Sequence, residues 1–90
     1  MDLVLPLKGI YFDDIRAGTK PWEYRLRNEY WTKRLVGRVY DRIILTKGYP
    51  RIDDMARRLV LPWKGYVEMT LQHPHFGQDP VEVFAIDVRH

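Results

Sequence analysis

The sequence predicts an α+β fold, a small mixed β-barrel or strongly bent sheet of about five strands with two or three short helices. Apolar, β-prone segments recur along the chain, and short helical patterns lie between them without a regular strand–helix–strand rhythm. The hydrophobic content of 46%, with aromatic residues spread throughout, argues against disorder. A chain of 90 residues buries only about 60% of its unfolded surface, so we expect one domain over residues 1–90.

The first two elements are a strand and a helix. Residues 3–7 are short, apolar and β-prone, and Pro6 suits a sheet edge or a strand end. From Lys8 to Ala17 the apolar side chains recur at spacings of three and four residues, which predicts one short helix. Gly18 follows as the residue type that most easily ends a helix.

The segment from Gly18 to Arg27 connects this helix to a second strand. Pro21 disfavours helical dihedral angles at Lys20, so the lysine is expected at a tight corner. From residue 22 the side chains alternate, which predicts a strand with one apolar, aromatic face and one charged face. The apolar face carries Trp22, Tyr24 and Leu26, and the charged face carries Glu23, Arg25 and Arg27.

The middle of the chain predicts a strand between two short helices. Asn28 is a candidate N-cap for a brief helical turn before Gly37. Residues 39–47 are the most β-rich run and predict a central strand, which a glycine–proline turn closes. Residues 53–59 begin with aspartates and end with arginines, an order that suits a helix dipole and predicts a helix of about two turns.

Two strands and a loop complete the chain. Residues 65–71 alternate again and predict a fourth strand, whereas 73–80 have the composition of a loop. Residues 81–88 are mostly apolar and predict a last strand that pairs on both sides. His73 and His75 have a spacing that is common by chance, so we expect no metal site, and no motif indicates a cofactor.

The composition restricts the compartment and the partners. The chain has no cysteine, its apolar runs are far below the roughly 20 residues of a membrane helix, and its first residues do not resemble a signal peptide. We therefore expect a cytoplasmic protein without a membrane partner. Cations between Arg25 and Arg42 alternate with aromatic residues, a pattern that suits RNA phosphates and bases. A solvated surface with arginine stems over apolar residues is the alternative.

Residues 18–25, Gly-Thr-Lys-Pro-Trp-Glu-Tyr-Arg, resemble the G-x-K-x-x-E-x-R signature of the ASCH domain family, which is structurally similar to PUA RNA-binding domains. The match comprises Gly18, Lys20, Glu23 and Arg25, and the preceding Asp-Asp-Ile-x-x-Gly segment also fits. The resemblance implies a PUA-like β-barrel with a cleft beside the signature. It also implies an RNA, nucleotide or nucleoside ligand, since RNA binding is the usual proposal for the family. Some bacterial members are described as ribonucleases, and others hydrolyse the acetyl amide of N4-acetylcytidine.

These residues define the predicted site. We expect the cleft to bind its ligand through Lys20, Glu23, Arg25, Trp22, Tyr24, Arg27 and Trp63. Lys20 and Glu23 are conditional catalytic residues, because desolvation lowers a lysine pKa and a carboxylate held by an arginine stays ionised and can orient a ligand. Two alternatives remain: a surface ion-pair group that stabilises the turn, and a Trp63 that seals one end of a small barrel.

Three functions stay open at this point. Binding of RNA or a nucleotide is the first. The second is an enzyme, and because the chain has no serine or cysteine, acyl-enzyme mechanisms on those residues are excluded. Ribonuclease chemistry can use the 2′-hydroxyl of the substrate. Amide hydrolysis would use Lys20 and a distant glutamate such as Glu68 or Glu82, but Glu23 replaces the threonine of the hydrolytic members. The third is a protein-interaction module that uses Trp31 and Trp63.

Overall fold

The computed structural model describes residues 1–72, 74 and 77–90 and has an α+β fold. The predicted histidine pair, His73 and His75, lies outside the described residues. The described part contains six strands, two α-helices and one 3₁₀ turn. The strands are β1 (Asp2–Leu7), β2 (Trp22–Leu26), β3 (Arg42–Lys47), β4 (Arg58–Pro62), β5 (Tyr66–Leu71) and β6 (Val81–Asp87); the helices are α1 (Gly9–Arg16) and α2 (Glu29–Leu35); the 3₁₀ turn is Met55–Arg57.

The strands form two three-stranded sheets. In the first, β3 lies between β1, to which it is parallel, and β4, to which it is antiparallel. In the second, β6 lies between β2 and β5 and is antiparallel to both. The central position of β3 and the two-sided pairing of β6 confirm the sequence predictions. The sheets do not close into a barrel through strand pairing within the described residues, so β1 and β2 are both edge strands.

The core lies between the two sheets and beneath the helices. Side chains that alternate along β1 and β3 bury one face of the first sheet, and Phe84 and Ile86 of β6 bury the facing side of the second. Phe12 and Ile15 of α1 pack into the same cluster, as does Leu35 of α2. Each helix therefore covers part of the core with one apolar stripe, as its sequence spacing predicts.

Helix α1 ends in a Schellman motif. Gly18 has a φ of +81°, and its N–H donates to the Ile15 carbonyl at 3.0 Å. The Thr19 N–H donates to the Asp14 carbonyl at 3.0 Å, which completes the motif, and the Lys20 N–H donates to the same carbonyl at 3.2 Å. These bonds stop the helix and fix the backbone of Lys20 at the start of the turn into β2.

Helix α2 begins at its predicted cap. The Asn28 side chain accepts a hydrogen bond from the Trp31 N–H at 2.9 Å, and the helix then runs for two turns to Leu35. Gly37 follows with a φ of +71°, as a chain reversal after a helix requires. The cap orients α2 so that Trp31 packs against the core.

The helix predicted over residues 53–59 is wrong. Only Met55–Arg57 is helical, as a 3₁₀ turn, and the chain then extends into β4. Met55 is 68% exposed, so it does not form an apolar face with Leu59. Leu59 and Leu61 alternate towards the core instead, since pairing with β3 satisfies the backbone of this segment. Pro62 is tolerated because β4 is an edge strand.

The side chains of β2 alternate as predicted, but their burial differs from the expectation. Glu23 and Arg25 lie opposite Ile86 and Phe84, two core residues of β6, so the charged face of the strand turns inward. Glu23 is 6% exposed, whereas the supposedly apolar face includes the exposed Leu26. Of the predicted row of surface charges, Glu23 is therefore buried and Arg25 half-buried, whereas Arg27 at the end of the strand is exposed.

Candidate functional site

A cleft of about 320 Å³ is lined by residues of the edge strands β1 and β2. Within the described residues, these two strands belong to separate sheets and do not pair with each other. We call this cavity the β1–β2 cleft. Its walls are formed by the end of β1, the start of α1, the turn before β2, strand β2 and the Trp31 ring of α2. The lining residues are Pro6, Leu7, Lys8, Tyr11, Lys20, Glu23, Tyr24, Arg25, Leu26 and Trp31.

Glu23 is the carboxylate of this cleft. Its Oε2 lies 3.0 Å from Nη2 of Arg25, and its Oε1 lies 3.9 Å from Nζ of Lys20, beyond direct hydrogen-bond distance. Burial raises the pKa of Glu23 above its ordinary value, although both neighbouring cations favour the ionised form. Arg25 alone would lower the pKa of Glu23, so the effect of burial is the larger one.

The Lys20 side chain extends towards the Glu23 carboxylate from the turn that follows α1. Its side chain is only 14% exposed, and its Nζ lies 4.6 Å from the centre of the Tyr24 ring and 5.2 Å from that of Tyr11. Burial lowers the pKa of Lys20, while the carboxylate of Glu23 acts in the other direction. The ammonium is thus held between two aromatic faces and a carboxylate, an arrangement that cation–π attraction favours.

Arg25 joins the two sheets across the cleft. Its Nη2 donates to the carbonyl of Pro6 on β1 at 3.2 Å and also contacts Glu23. Its guanidinium lies 4.9 Å from the centre of the Trp31 ring of α2, a distance at which cation–π attraction is favourable. Among the described residues, its buried Nε has no hydrogen-bond partner. A buried N–H donor without a partner costs free energy.

Three residues predicted to bind the ligand lie elsewhere. Trp22 stacks with the guanidinium of Arg89 at 5.0 Å, outside the cleft lining. Arg27 faces Glu82 and Glu68, at 3.5 and 3.8 Å. These contacts compensate its charge at the end of β2, where its guanidinium lies 6.0 Å from the centre of the Phe84 ring.

Trp63 also lies outside the cleft lining. It packs against the core, with its ring 5.3 Å from that of Tyr40 in an edge-to-face arrangement. Of the ligand-binding residues predicted from the sequence, the cleft lining therefore contains Lys20, Glu23, Tyr24 and Arg25.

The sequence did not indicate Tyr11 or Lys8 as cleft residues. Tyr11 lies in the first turn of α1 and Lys8 is the N-cap residue of this helix, which the signature follows directly in the chain. Because α1 ends at the signature and packs on the same core, one of its sides lies beside Lys20. The position of this helix directly before the signature could therefore have indicated that its residues line the cleft. Trp31 was noted for a possible protein interface, whereas the structure places it in the wall of the cleft.

The cleft offers complementary polar and aromatic contacts. Its cations can bind an anionic group, its three aromatic rings can stack on a flat ring, and its carboxylate can accept hydrogen bonds from N–H groups. Its volume is at the lower end of the range of small-molecule sites. Among the described residues that line it, Glu23 is the one carboxylate. Glu68 and Glu82 pair with Arg27.

Other kinds of site are less prominent. Within the described residues, no three His, Asp or Glu side chains come close enough to hold a metal ion. None of the helices described here has the length and apolar character that crossing a membrane requires.

Comparisons of the chain with models of known protein families, with curated proteins and with solved structures give no match.

Proposed function

We propose that this chain is an ASCH-type, PUA-like domain that binds RNA or a nucleotide in the β1–β2 cleft. The observation that carries the proposal is the grouping of Lys20, Glu23 and Arg25 in an aromatic cleft. Bringing three charged side chains together in a partly buried position costs desolvation free energy, so such a group contributes little to the stability of a fold. Such groups are enriched where a protein binds or transforms a ligand.

The contacts suit one nucleotide unit. A base can stack on Tyr11, Tyr24 or Trp31, while an N–H on its edge donates to the carboxylate of Glu23. Lys20 and the partly exposed guanidinium of Arg25 supply donors for a phosphate or a base carbonyl. The expected barrel is compatible with this arrangement, since the bond from Arg25 to Pro6 spans the edges at which a barrel would close.

Binding is tested by titration with single-stranded RNA and with mononucleotides at rising salt concentration. We expect Lys20→Ala to weaken RNA binding about tenfold or more, because it removes a cation from the cleft. Lys47→Ala is the matched control, since Lys47 lies outside the cleft and pairs with Asp13 at 3.1 Å. RNA affinity that is absent in the wild type, or equal in the two variants, would refute the proposal.

An enzyme that acts on RNA is the second candidate, and the opposite pKa directions of Lys20 and Glu23 favour it. In such an enzyme, Lys20 would accept the proton of a 2′-hydroxyl as that oxygen attacks the phosphorus atom. Glu23 would donate a proton to the leaving 5′-oxygen as the P–O bond breaks. The products are a 2′,3′-cyclic phosphate and a free 5′-hydroxyl.

Catalysis is tested by incubation with labelled RNA and, separately, with N4-acetylcytidine. A ribonuclease gives cyclic-phosphate ends that disappear in Lys20→Ala, and an amide hydrolase gives acetate and cytidine. The absence of product from the wild type, or equal product from Lys20→Ala, would remove the enzyme and leave the binding function.

A protein-interaction module receives less support. Trp31 forms a wall of the β1–β2 cleft and Trp63 packs against Tyr40. Both tryptophans are partly buried against the core, so most of their apolar surface is already covered. A complex with a protein partner that survived high salt would favour this module over RNA binding.

A further inference from the structure

A second, more open concavity lies on the other side of α2. It has a volume of about 790 Å³, and we call it the α2 groove. Residues of the helix, of its N-cap and of the segment that follows it line the groove together with Met1. The groove is lined by Met1, Asn28, Glu29, Tyr30, Lys33, Arg34, Arg38 and Tyr40.

The α2 groove carries uncompensated positive charge. Lys33 pairs with Glu29 at 3.1 Å, and the N-terminal amine pairs with Asp41 at 2.6 Å. By contrast, no carboxylate of the described residues lies within ion-pair distance of Arg34, nor does any contact Arg38. The side chain of Arg38 is oriented by donation from its Nε to the Lys33 carbonyl at 3.2 Å. Two guanidinium groups therefore remain available for an anion.

The aromatic ring of Trp31 connects the groove to the β1–β2 cleft. The guanidinium carbons of Arg25 and Arg34 lie 4.9 and 6.0 Å from the centre of this ring. The two groups are therefore at most roughly 11 Å apart, a span that a strand of two or three nucleotides can cover. Tyr30, which is 55% exposed, contacts the Trp31 ring edge-to-face at 5.1 Å and supports the Arg34 guanidinium at 4.5 Å.

We propose that the α2 groove binds the sugar–phosphate backbone of a single RNA strand, one base of which occupies the β1–β2 cleft. The proposal rests on the proposed function and extends it from a nucleotide to an oligonucleotide ligand. Arg34 and Arg38 contact phosphates next to the bound base, and the exposed face of Tyr30 stacks on a flanking base. Alternating cations and aromatic rings along one path are typical of single-strand binding surfaces.

The experiment measures how affinity depends on strand length. A mononucleotide and RNA strands of two, four and eight nucleotides are titrated into the wild type, into Arg34→Gln/Arg38→Gln and into Lys20→Ala. Glutamine retains much of the arginine stem and removes the charge. Arg51→Gln/Arg57→Gln is the control, because it removes the same charge from residues that line neither cavity. Thermal unfolding checks that each variant is folded.

We expect the eight-nucleotide strand to bind the wild type at least tenfold more tightly than the mononucleotide. In Arg34→Gln/Arg38→Gln this gain disappears while mononucleotide binding is unchanged. The slope of log affinity against log salt falls by about 1.4, the value for two lost phosphate contacts on a single strand. Lys20→Ala weakens binding at every length, and the control behaves as the wild type.

The outcomes separate the two proposals. Mononucleotide binding without a gain in affinity with length, or a gain that Arg34→Gln/Arg38→Gln retains, overturns the backbone groove and leaves the proposed function standing. An equal loss in the Arg51→Gln/Arg57→Gln control overturns the groove as well, because the effect is then one of net charge. No binding at any length overturns both. A DNA strand that binds more tightly than RNA overturns the assignment to RNA.

Discussion

Replacing Arg25 with alanine is the most informative perturbation of the cleft. The substitution removes the partner that lies 3.0 Å from the buried Glu23 carboxylate, and with it the hydrogen bond to the Pro6 carbonyl. Lys20 remains, but its Nζ is 3.9 Å from the other carboxylate oxygen. The variant therefore leaves a carboxylate that is 6% exposed without a direct hydrogen bond from an arginine.

The expected cost is about 3 kcal/mol in the free energy of unfolding at neutral pH. Breaking a fully buried ion pair by removing one partner typically costs about 3 to 5 kcal/mol. The Arg25 side chain is 20% exposed and water can enter once it is gone, so we take the lower end. For a domain of this size, such a loss lowers Tm by more than about 10 °C.

The loss depends on pH in a defined direction. Burial already raises the pKa of Glu23 in the wild type, and removal of Arg25 raises it further. A carboxyl group whose folded pKa is raised contributes stability below its unfolded pKa and loses it as pH rises through the folded value. The difference between the wild type and Arg25→Ala is therefore small near pH 4.5, the ordinary pKa of the group, and large at neutral pH.

Urea and thermal unfolding at both pH values measure this difference. The control is a double-variant cycle with Glu23→Gln, which removes the charge but keeps the shape of the side chain. In the Glu23→Gln background, Arg25→Ala has no buried charge to expose and costs less than in the wild type. A loss below about 1 kcal/mol, a larger loss in acid, or an equal loss in both backgrounds contradicts this account of the site.

Three further predictions concern the rest of the fold. Gly18→Ala meets no atom within 4 Å but must adopt a φ of +81°, so strain alone lowers stability by about 1 to 2 kcal/mol, measured by urea unfolding. Leu45→Ala opens a cavity in the core and costs about 2 to 5 kcal/mol, whereas Val39→Ala, at an exposed position, stays within about 0.5 kcal/mol of the wild type in the same measurement. The Arg89 guanidinium lowers the pKa of Asp87 to about 2, so an NMR titration of Arg89→Ala shows a higher value, and the stability that this pair contributes in the wild type is lost as pH falls from 3.8 towards 2.

The elements that the sequence predicted correctly are those with strong local patterns. The apolar spacing of α1, the Asn28 cap and the alternation in β5 depend on neighbours in the chain, so they can be read directly from it. The helix predicted over residues 53–59 was wrong because the charge order suits a helix, whereas Leu59 and Leu61 alternate as in a strand. Pairing with β3 decided the outcome, and that partner is distant in sequence.

The residues of the candidate site were predicted only in part, again because local patterns can be read from the sequence and distant contacts cannot. Lys20, Glu23 and Arg25 follow one another at a corner, so their grouping was accessible from the sequence. Trp22 and Arg27 were assigned to the cleft from their place in the strand of the signature, and Trp63 from its position at a strand entrance. Each has a different partner in the folded chain. Tyr11 and Trp31 were not assigned to it, because they reach the cleft from two helices whose packing on the core no local pattern specifies.

The sequence by itself determined an α+β chain with a sharp turn after α1 and a strand of alternating charged and aromatic side chains, because backbone preferences and side-chain periodicity are local. Only the tertiary structure decided which face of β2 is buried. The charged face turns inward because β2 pairs with β6 at the edge of a sheet that is open towards β1. That pairing converts an expected row of surface charges into a cleft in which burial raises the pKa of Glu23 and lowers that of Lys20.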